Sequence, residues 1–198
     1  MTLEIIGTLV GLAYLWFEYK ASIYLWIAGI IMPAIYIFIY YNAGLYADFG
    51  INIYYLLIAV YGWCAWKFGG HKRSKNQASP ETKGELPISH TPKATIIPLV
   101  AIFFATFVLI VWVLKSYTDS NVPYCDSFTT ALSIVGMWML ARKYLEQWFV
   151  WFVVDAVCVF LYIYKGLYFT AGLYALYAII SIYGYRNWQK QMISQNEE

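Results

Sequence analysis

The sequence predicts an all-α integral membrane protein of seven transmembrane helices, arranged as two parallel three-helix repeats joined by a linker helix. Three observations carry that prediction. Of the 198 residues, 62% are hydrophobic and only 12% are charged, against about 25% charged in soluble domains. A chain this short cannot hide such an excess in a core, so lipid must solvate it. Apolar runs long enough for a bilayer recur seven times. The chain also matches itself at a single offset through three of those runs and two loops.

A hydrocarbon core of about 30 Å needs about 20 apolar residues of helix. On that ruler the spans fall at 2–18, 21–41, 45–66, 96–114, 127–141, 145–164 and 166–187. They must be helical, because no water at that depth could satisfy open N–H and C=O groups. The start, MTLEIIGTLV, lacks a basic n-region and a small-residue cleavage site, so the first run is expected to stay in the mature protein. The long polar stretch at 68–95 is rich in Lys, Ser, Pro and Gly. It is expected to be a flexible cytoplasmic loop, with His71 and His90 solvated. Cys64, Cys125 and Cys158 have no metal-type spacing and imply no disulfide framework.

Lys and Arg set the orientation. With the N-terminus outside, the inside segments hold Lys20, then Lys67, Lys72, Arg73, Lys75, Lys83 and Lys93, then Arg142 and Lys143, then Arg186 and Lys190. Only Lys115 and Lys165 remain outside. The positive-inside rule therefore predicts N-out and C-in, as an odd number of spans requires.

The self-match has an offset of 122 residues. Trp16 falls on Trp138, Trp26 on Trp148, Gly44-Leu45-Tyr46 on Gly166-Leu167-Tyr168, Tyr61-Gly62 on Tyr183-Gly184, and Trp66 on Trp188. The domain is therefore read as repeat 1 at 2–66, the loop at 68–95, a linker span at 96–114 and repeat 2 at 127–188. The linker span returns the second copy to the same side, so the copies run parallel. Parallel repeats are a transporter architecture, with substrate held near mid-membrane.

Ionisable groups inside a bilayer are functional-site hypotheses by default. Glu4, Glu18, Asp48 and Glu146 lie at span ends, whereas Asp155 lies near the middle of the sixth span. Trp148, Trp151 or Phe152, Cys158 and Tyr162 share its helical face. No Lys or Arg lies at its depth, so the carboxylate would be protonated or would wait for a cation; a helix-tying hydrogen bond is the plainer alternative. The repeat sets Pro33 opposite Asp155, and a proline frees a backbone carbonyl. The third helix of each copy carries a stripe of small, polar and aromatic residues. It reads Asp48, Asn52, Tyr55, Ala59, Gly62 and Trp66, then Thr170, Tyr174, Tyr177, Ser181, Gly184 and Trp188. Such a face suits a flat, partly polar ligand and favours a cation over its rings. It equally suits helix packing or an interfacial aromatic belt.

The block from Trp148 to Trp188, WFVWFVVDAVCVFLYIYKGLYFTAGLYALYAIISIYGYRNW, resembles the nicotinamide riboside transporter family, PnuC. The segment Tyr61 to Lys67, YGWCAWK, resembles that family's aromatic stretch at the corresponding place, and the likeness covers roughly residues 3–190 outside the loop. The resemblance implies a 3+1+3 fold related to SWEET-type sugar carriers, often trimeric, in the cytoplasmic (inner) membrane. It also implies facilitated diffusion of a small vitamin that a cytosolic kinase then traps. No cofactor and no metal are expected, since neither the cysteines nor the histidines have ligand spacing. Carried onto this chain, the resemblance gives Trp63, Trp66, Asp155, Asn187 and Trp188 as substrate contacts, with Asn52, Tyr55, Tyr177, Ser181 and Trp151 behind them. Relatives are assigned nicotinamide riboside, thiamine or riboflavin. The pyridinium of the first and the thiazolium of the second suit an acid at Asp155 better than neutral riboflavin does.

Other classes fit less well. A retinal protein needs a mid-membrane lysine for its Schiff base, and Lys115 and Lys165 lie at span ends. A membrane enzyme needs titratable groups clustered at one depth, and Asp155 stands alone among the spans. A receptor-like or structural seven-helix bundle lacks a reason for the repeat and the central acid.

Overall fold

The computed structural model describes residues 2–42, 46–74, 86–118 and 121–197, and it is helical almost throughout. Seven helices follow in chain order: α1 (Thr2–Tyr19), α2 (Tyr24–Asn42), α3 (Tyr46–Ser74), α4 (Lys93–Tyr117), α5 (Pro123–Ala141), α6 (Gln147–Tyr164) and α7 (Tyr168–Glu197). Each expected span has its helix. Among the described residues, Phe49–Gly69, Lys93–Tyr117 and Gln147–Tyr164 are long and apolar enough to cross a membrane by themselves. Helices α3 and α7 outrun the apolar stretches that predicted them. A helix keeps its internal hydrogen bonds after it leaves the bilayer, so hydropathy marks the membrane boundary and not the helix end. The expected loop at 68–95 is correspondingly shorter, with α3 continuing to Ser74. Residues 75–85, most of that loop, lie outside the described residues, as do Gly44 and the side chains of Asp48 and His71.

The chain divides into two compact units. The first comprises Met1–Pro87, Ala141–Lys143 and Gln191–Glu198, the second Ile88–Leu140 and Tyr144–Lys190.

In the first unit, α2 packs on α1 and α3. Ala59 of α3 is fully buried, and a Cβ at Gly29 of α2 would lie 3.4 Å from its methyl. Trp26 of α2 stands edge-on to Trp66 of α3, with ring centroids 5.4 Å apart at 89°. The ring of Trp26 lies directly on Gly62, where a Cβ would come within 2.4 Å of it. Trp66 also carries the Lys143 ammonium 4.3 Å above its ring, and Arg142 donates to the Tyr61 hydroxyl at 3.0 Å.

The second unit contains the same constellation 122 residues on. Trp148 of α6 stands edge-on to Trp188 of α7 at 5.7 Å and 88°, and it lies on Gly184, where a Cβ would come within 2.5 Å. The turns match as well. Ala21, after α1, and Lys143, after α5, both take φ of +51°, in the left-handed region. Across these turns Ser22 N–H reaches the Phe17 carbonyl at 2.9 Å and Tyr144 N–H the Met139 carbonyl at 3.0 Å. Such a six-to-one bond closes a helix whose next residue is left-handed. Non-glycine residues rarely adopt this conformation, which costs roughly 1–2 kcal/mol. The two turns nevertheless hold one each at corresponding places, 122 residues apart. Helix α4 joins the second unit through Leu99, which packs with Val135, Met139 and Tyr144. Ile97, Phe104, Val108 and Trp112 on α4 stay exposed, a surface that lipid solvates.

The glycine seats generate a contrast between two glycines of α7. Gly184→Ala drives a methyl into the Trp148 ring and should lower stability by about 1–3 kcal/mol. Gly172 has open space around it, so Gly172→Ala should be neutral or slightly stabilising. Melting curves of the two purified variants check this, and equal melting temperatures would show that the ring gives way freely.

Candidate functional site

The site grows from the head of α6. Residue Glu146 directly precedes the helix, and the segment before α4 straps across it. The Glu146 carboxylate accepts from the Thr91 N–H and the Thr91 hydroxyl, both at 2.7 Å, and lies 2.6 Å from His90 Nδ1. Leu145 N–H adds a bond to the Ser89 carbonyl at 3.0 Å. Leu86 and Ile88, in the stretch expected to be a loose loop, are buried. The histidine expected to be a solvated loop residue is thus paired, although its ring remains largely open to solvent. A pair separated by 56 residues leaves no local pattern from which it could be read.

From this anchored start, Gln147, Trp151, Asp155, Cys158 and Tyr162 fall on one face of α6 by helical spacing. Gln147 is fully buried. Trp148 has the Gly184 seat described above. Trp151 packs beside α5, where a Cβ on Gly136 would lie 3.4 Å from its indole. The indole nitrogens of Trp148 and Trp151 are buried and have no hydrogen-bond partner among the described residues. Further along, Asp155 is only 6% exposed. The Ser181 hydroxyl of α7 reaches Asp155 Oδ2 at 3.4 Å and the Tyr177 carbonyl, one turn back, at 3.1 Å. One hydroxyl proton serves both acceptors, so the carboxylate receives a long, shared bond. Tyr162 stacks on Tyr174 at 5.1 Å, and Tyr174 meets Tyr177 edge-on at 5.6 Å. Cys158 is buried on the same face.

Helices α6 and α7 thus bring Asp155, Ser181 and Tyr177 together, with Trp151 along the same face of α6. Trp188 is fully buried under Trp148, and Asn187 beside it is half-buried. Asn52, Tyr55, Trp63 and Trp66 belong to the first unit. Trp66 is the buried packing partner of Trp26. Trp63 is engaged by its own helix, edge-on to Phe68 at 6.4 Å and with the Lys67 ammonium 4.7 Å above its ring. Asn52 and Tyr55 are half-buried on α3, and Tyr54 and Tyr55 lie 5.7 Å apart.

Sequence reasoning passed over Gln147, although the repeat contained the clue. Position 147 corresponds to Leu25, Asp155 to Pro33 and Ser181 to Ala59. All six positions are buried. Three polar side chains occupy the second unit where the first has apolar ones.

A buried acid, a hydroxyl, indole N–H groups without a partner among the described residues and stacked phenols thus lie along α6 and α7. The comparisons with known proteins decide the protein's class. Residues 1–190 match the model of the family described as nicotinamide mononucleotide transporter. The chain belongs to this family of membrane transporters. It is similar to the nicotinamide riboside transporter PnuC of Escherichia coli (strain K12), 23% identical over 204 residues that cover 94% of this chain and 84% of that protein. The PnuC of Neisseria mucosa is 25% identical, with 93% and 71% covered. The riboflavin/roseoflavin transporter RibM of Streptomyces davaonensis is 26% identical, with 93% and 83% covered. Among solved structures, the crystal structure of the Vitamin B3 transporter PnuC matches with a TM-score of 0.65 and 24% identity. That match covers 96% of this chain and 81% of that one, and it supports the fold. These relatives are named as transporters and not as enzymes.

The strap at the head of α6 responds to acid. Burial alone would raise the Glu146 carboxyl, but the bonds from His90 and Thr91 outweigh it and hold the group below its ordinary value of 4.5. A carboxyl lowered in the folded state stabilises that state fully above its ordinary value. The contribution is lost as pH falls through the lowered one. The melting temperature of the wild type should therefore drop more steeply than that of Glu146→Gln as pH falls below the ordinary carboxyl value of 4.5. Parallel slopes would remove the strap as an acid-sensitive element.

Proposed function

We propose that this family member carries a small cationic vitamin across the cytoplasmic membrane, with nicotinamide riboside as first choice. The observation that carries this reading is Asp155, an acid buried in the middle of an apolar helix and bonded only weakly by Ser181. An uncompensated charge at membrane depth is costly. A pyridinium beside it would offset that cost, and the tryptophans of the same helix offer faces on which a flat ring stacks. The names of the Escherichia coli and Neisseria mucosa relatives point to the same molecule. The RibM relative makes riboflavin the second reading, while thiamine rests on charge alone.

The architecture of this reading is seven spans in a 3+1+3 order, N-terminus outside and C-terminus inside, with two parallel repeats. The recurrence of the tryptophan–glycine constellation and of the left-handed turns at one offset supports the repeat. The distribution of Lys and Arg supports the orientation. Assembly into a homotrimer follows from family resemblance. Repeat 1 at 2–66 and repeat 2 at 127–188 remain the boundaries of the two halves.

Titration calorimetry on detergent-purified protein, with nicotinamide riboside, thiamine and riboflavin in parallel, tests the reading. Saturable binding of nicotinamide riboside supports it; binding of riboflavin alone moves it to the second reading; binding of none sinks it. The quaternary ring nitrogen has no hydrogen to donate, so the acid acts by Coulomb attraction, about 2–3 kcal/mol at roughly 6–8 Å and an effective dielectric of about 20. Asp155→Ala should therefore weaken a cationic vitamin roughly ten- to a hundredfold, and Asp155→Asn should lose nearly as much if charge is what counts. Native affinity in Asp155→Ala would take the residue out of the site.

A further inference from the structure

Gln147 is the first residue of α6, and its side chain is fully buried. Neither the amide Nε2 nor the amide Oε1 has a hydrogen-bond partner among the described residues. Burying an amide with both ends unpaired is among the costlier things a fold can do. Nor does the architecture demand it, because Leu25 occupies the corresponding place in the first unit and is equally buried. The backbone around the two residues is also alike. Leu25 N–H bonds the Ser22 carbonyl at 3.2 Å, and Gln147 N–H bonds the Tyr144 carbonyl at 3.2 Å. The same turn therefore accepts leucine, and packing does not explain the amide.

An amide with a free donor and a free acceptor side by side has a specific complement. It pairs with a group that presents an acceptor and a donor on one edge, through two parallel hydrogen bonds. A primary carboxamide does this, and so does the imide edge of a fused heteroaromatic ring. A carboxylate does not, because it only accepts and leaves the Gln147 carbonyl oxygen facing another acceptor.

We propose that the Gln147 side-chain amide is the group that reads the carboxamide of the vitamin, resting on the cargo assigned under Proposed function. Gln147, Trp151 and Asp155 succeed one another at four-residue steps, so the amide and the acid stand about 12 Å apart along the helix axis with an indole between them. The ring lies against Trp151, its carboxamide edge meets Gln147, and the acid acts on the positive charge at longer range. The two buried indole N–H groups of Trp148 and Trp151 add donors to the same stretch of α6.

The test compares nicotinamide riboside with its analogue in which a carboxylate replaces the carboxamide. Both are titrated into the full-length purified protein and its Gln147→Leu and Gln147→Met variants. The wild type should prefer the carboxamide by about tenfold or more. Both variants should lose that preference and bind nicotinamide riboside about tenfold more weakly. The ligand-free variants should melt no lower than the wild type, as Leu25 indicates, and methionine supplies an unbranched apolar replacement of similar volume should leucine pack poorly. A variant that keeps both affinity and discrimination overturns the proposal, as does a wild type indifferent to the two ligands. A wild type that binds no vitamin overturns the cargo assignment itself and this inference with it. Binding with unaltered discrimination in the variants defeats only the role of Gln147.

Discussion

At membrane depth, burying an apolar side chain against another helix gains little over burying it in lipid, so shape has to locate the helices. In this protein the shape is a tryptophan ring laid on a glycine. Trp26 covers Gly62, and Trp148 covers Gly184, each at a distance that no other residue's Cβ would allow. Each ring is then braced edge-on by a second tryptophan, Trp66 or Trp188. The arrangement fixes the rotation of α2 against α3 and of α6 against α7. It therefore decides which side chains each pair of helices presents to the other. The position of Asp155 opposite Ser181 is a consequence of that register: a glycine three residues after Ser181 admits the ring seven residues before Asp155.

The same scaffold serves different ends in the two units. The first fills its buried positions with Leu25, Pro33 and Ala59, the second with Gln147, Asp155 and Ser181. Because the surrounding tryptophans, glycines and turns agree, the scaffold accommodates apolar residues at the first and third of these places, and the polar ones answer to something else. In a low-dielectric interior an unsatisfied polar group costs more than a satisfied one gains. Concentrating such groups on α6 and the facing turn of α7 is a departure from stability that a ligand can repay.

Much of this was legible in the sequence because it rests on residues with few substitutes. Tryptophans and glycines recurring at a fixed offset disclosed the repeat, though not that each ring sits on its glycine, and a lone carboxylate in an apolar run disclosed Asp155. Other features were hidden for physical reasons. The strap formed by His90, Thr91 and Glu146 joins segments far apart in sequence, and polar composition made it look like free loop. The length of α3 was obscured because hydropathy reports the solvent and not the helix. Trp63 matched an aromatic motif, yet Lys67 and Phe68 engage its ring; type and spacing do not reveal what a side chain touches. Gln147 adjoins an apolar run and reads as a boundary residue until its burial is known.

A carrier must bind its cargo and then let it go, and this limits how completely its site can be satisfied beforehand. If Asp155 were paired with a lysine or held by several short bonds, a cationic ligand would have to displace a strong partner and gain little. If it were wholly uncompensated, the empty carrier would be costly to fold and slow to release. The single hydroxyl of Ser181, at 3.4 Å and divided between the acid and a carbonyl, lies between these extremes. It holds the acid toward α7 while leaving, among the described residues, most of its capacity unused. The partial satisfaction of this one group is thus the physical condition for exchange under the proposed function: strong enough to hold the empty state, weak enough for the cargo to compete.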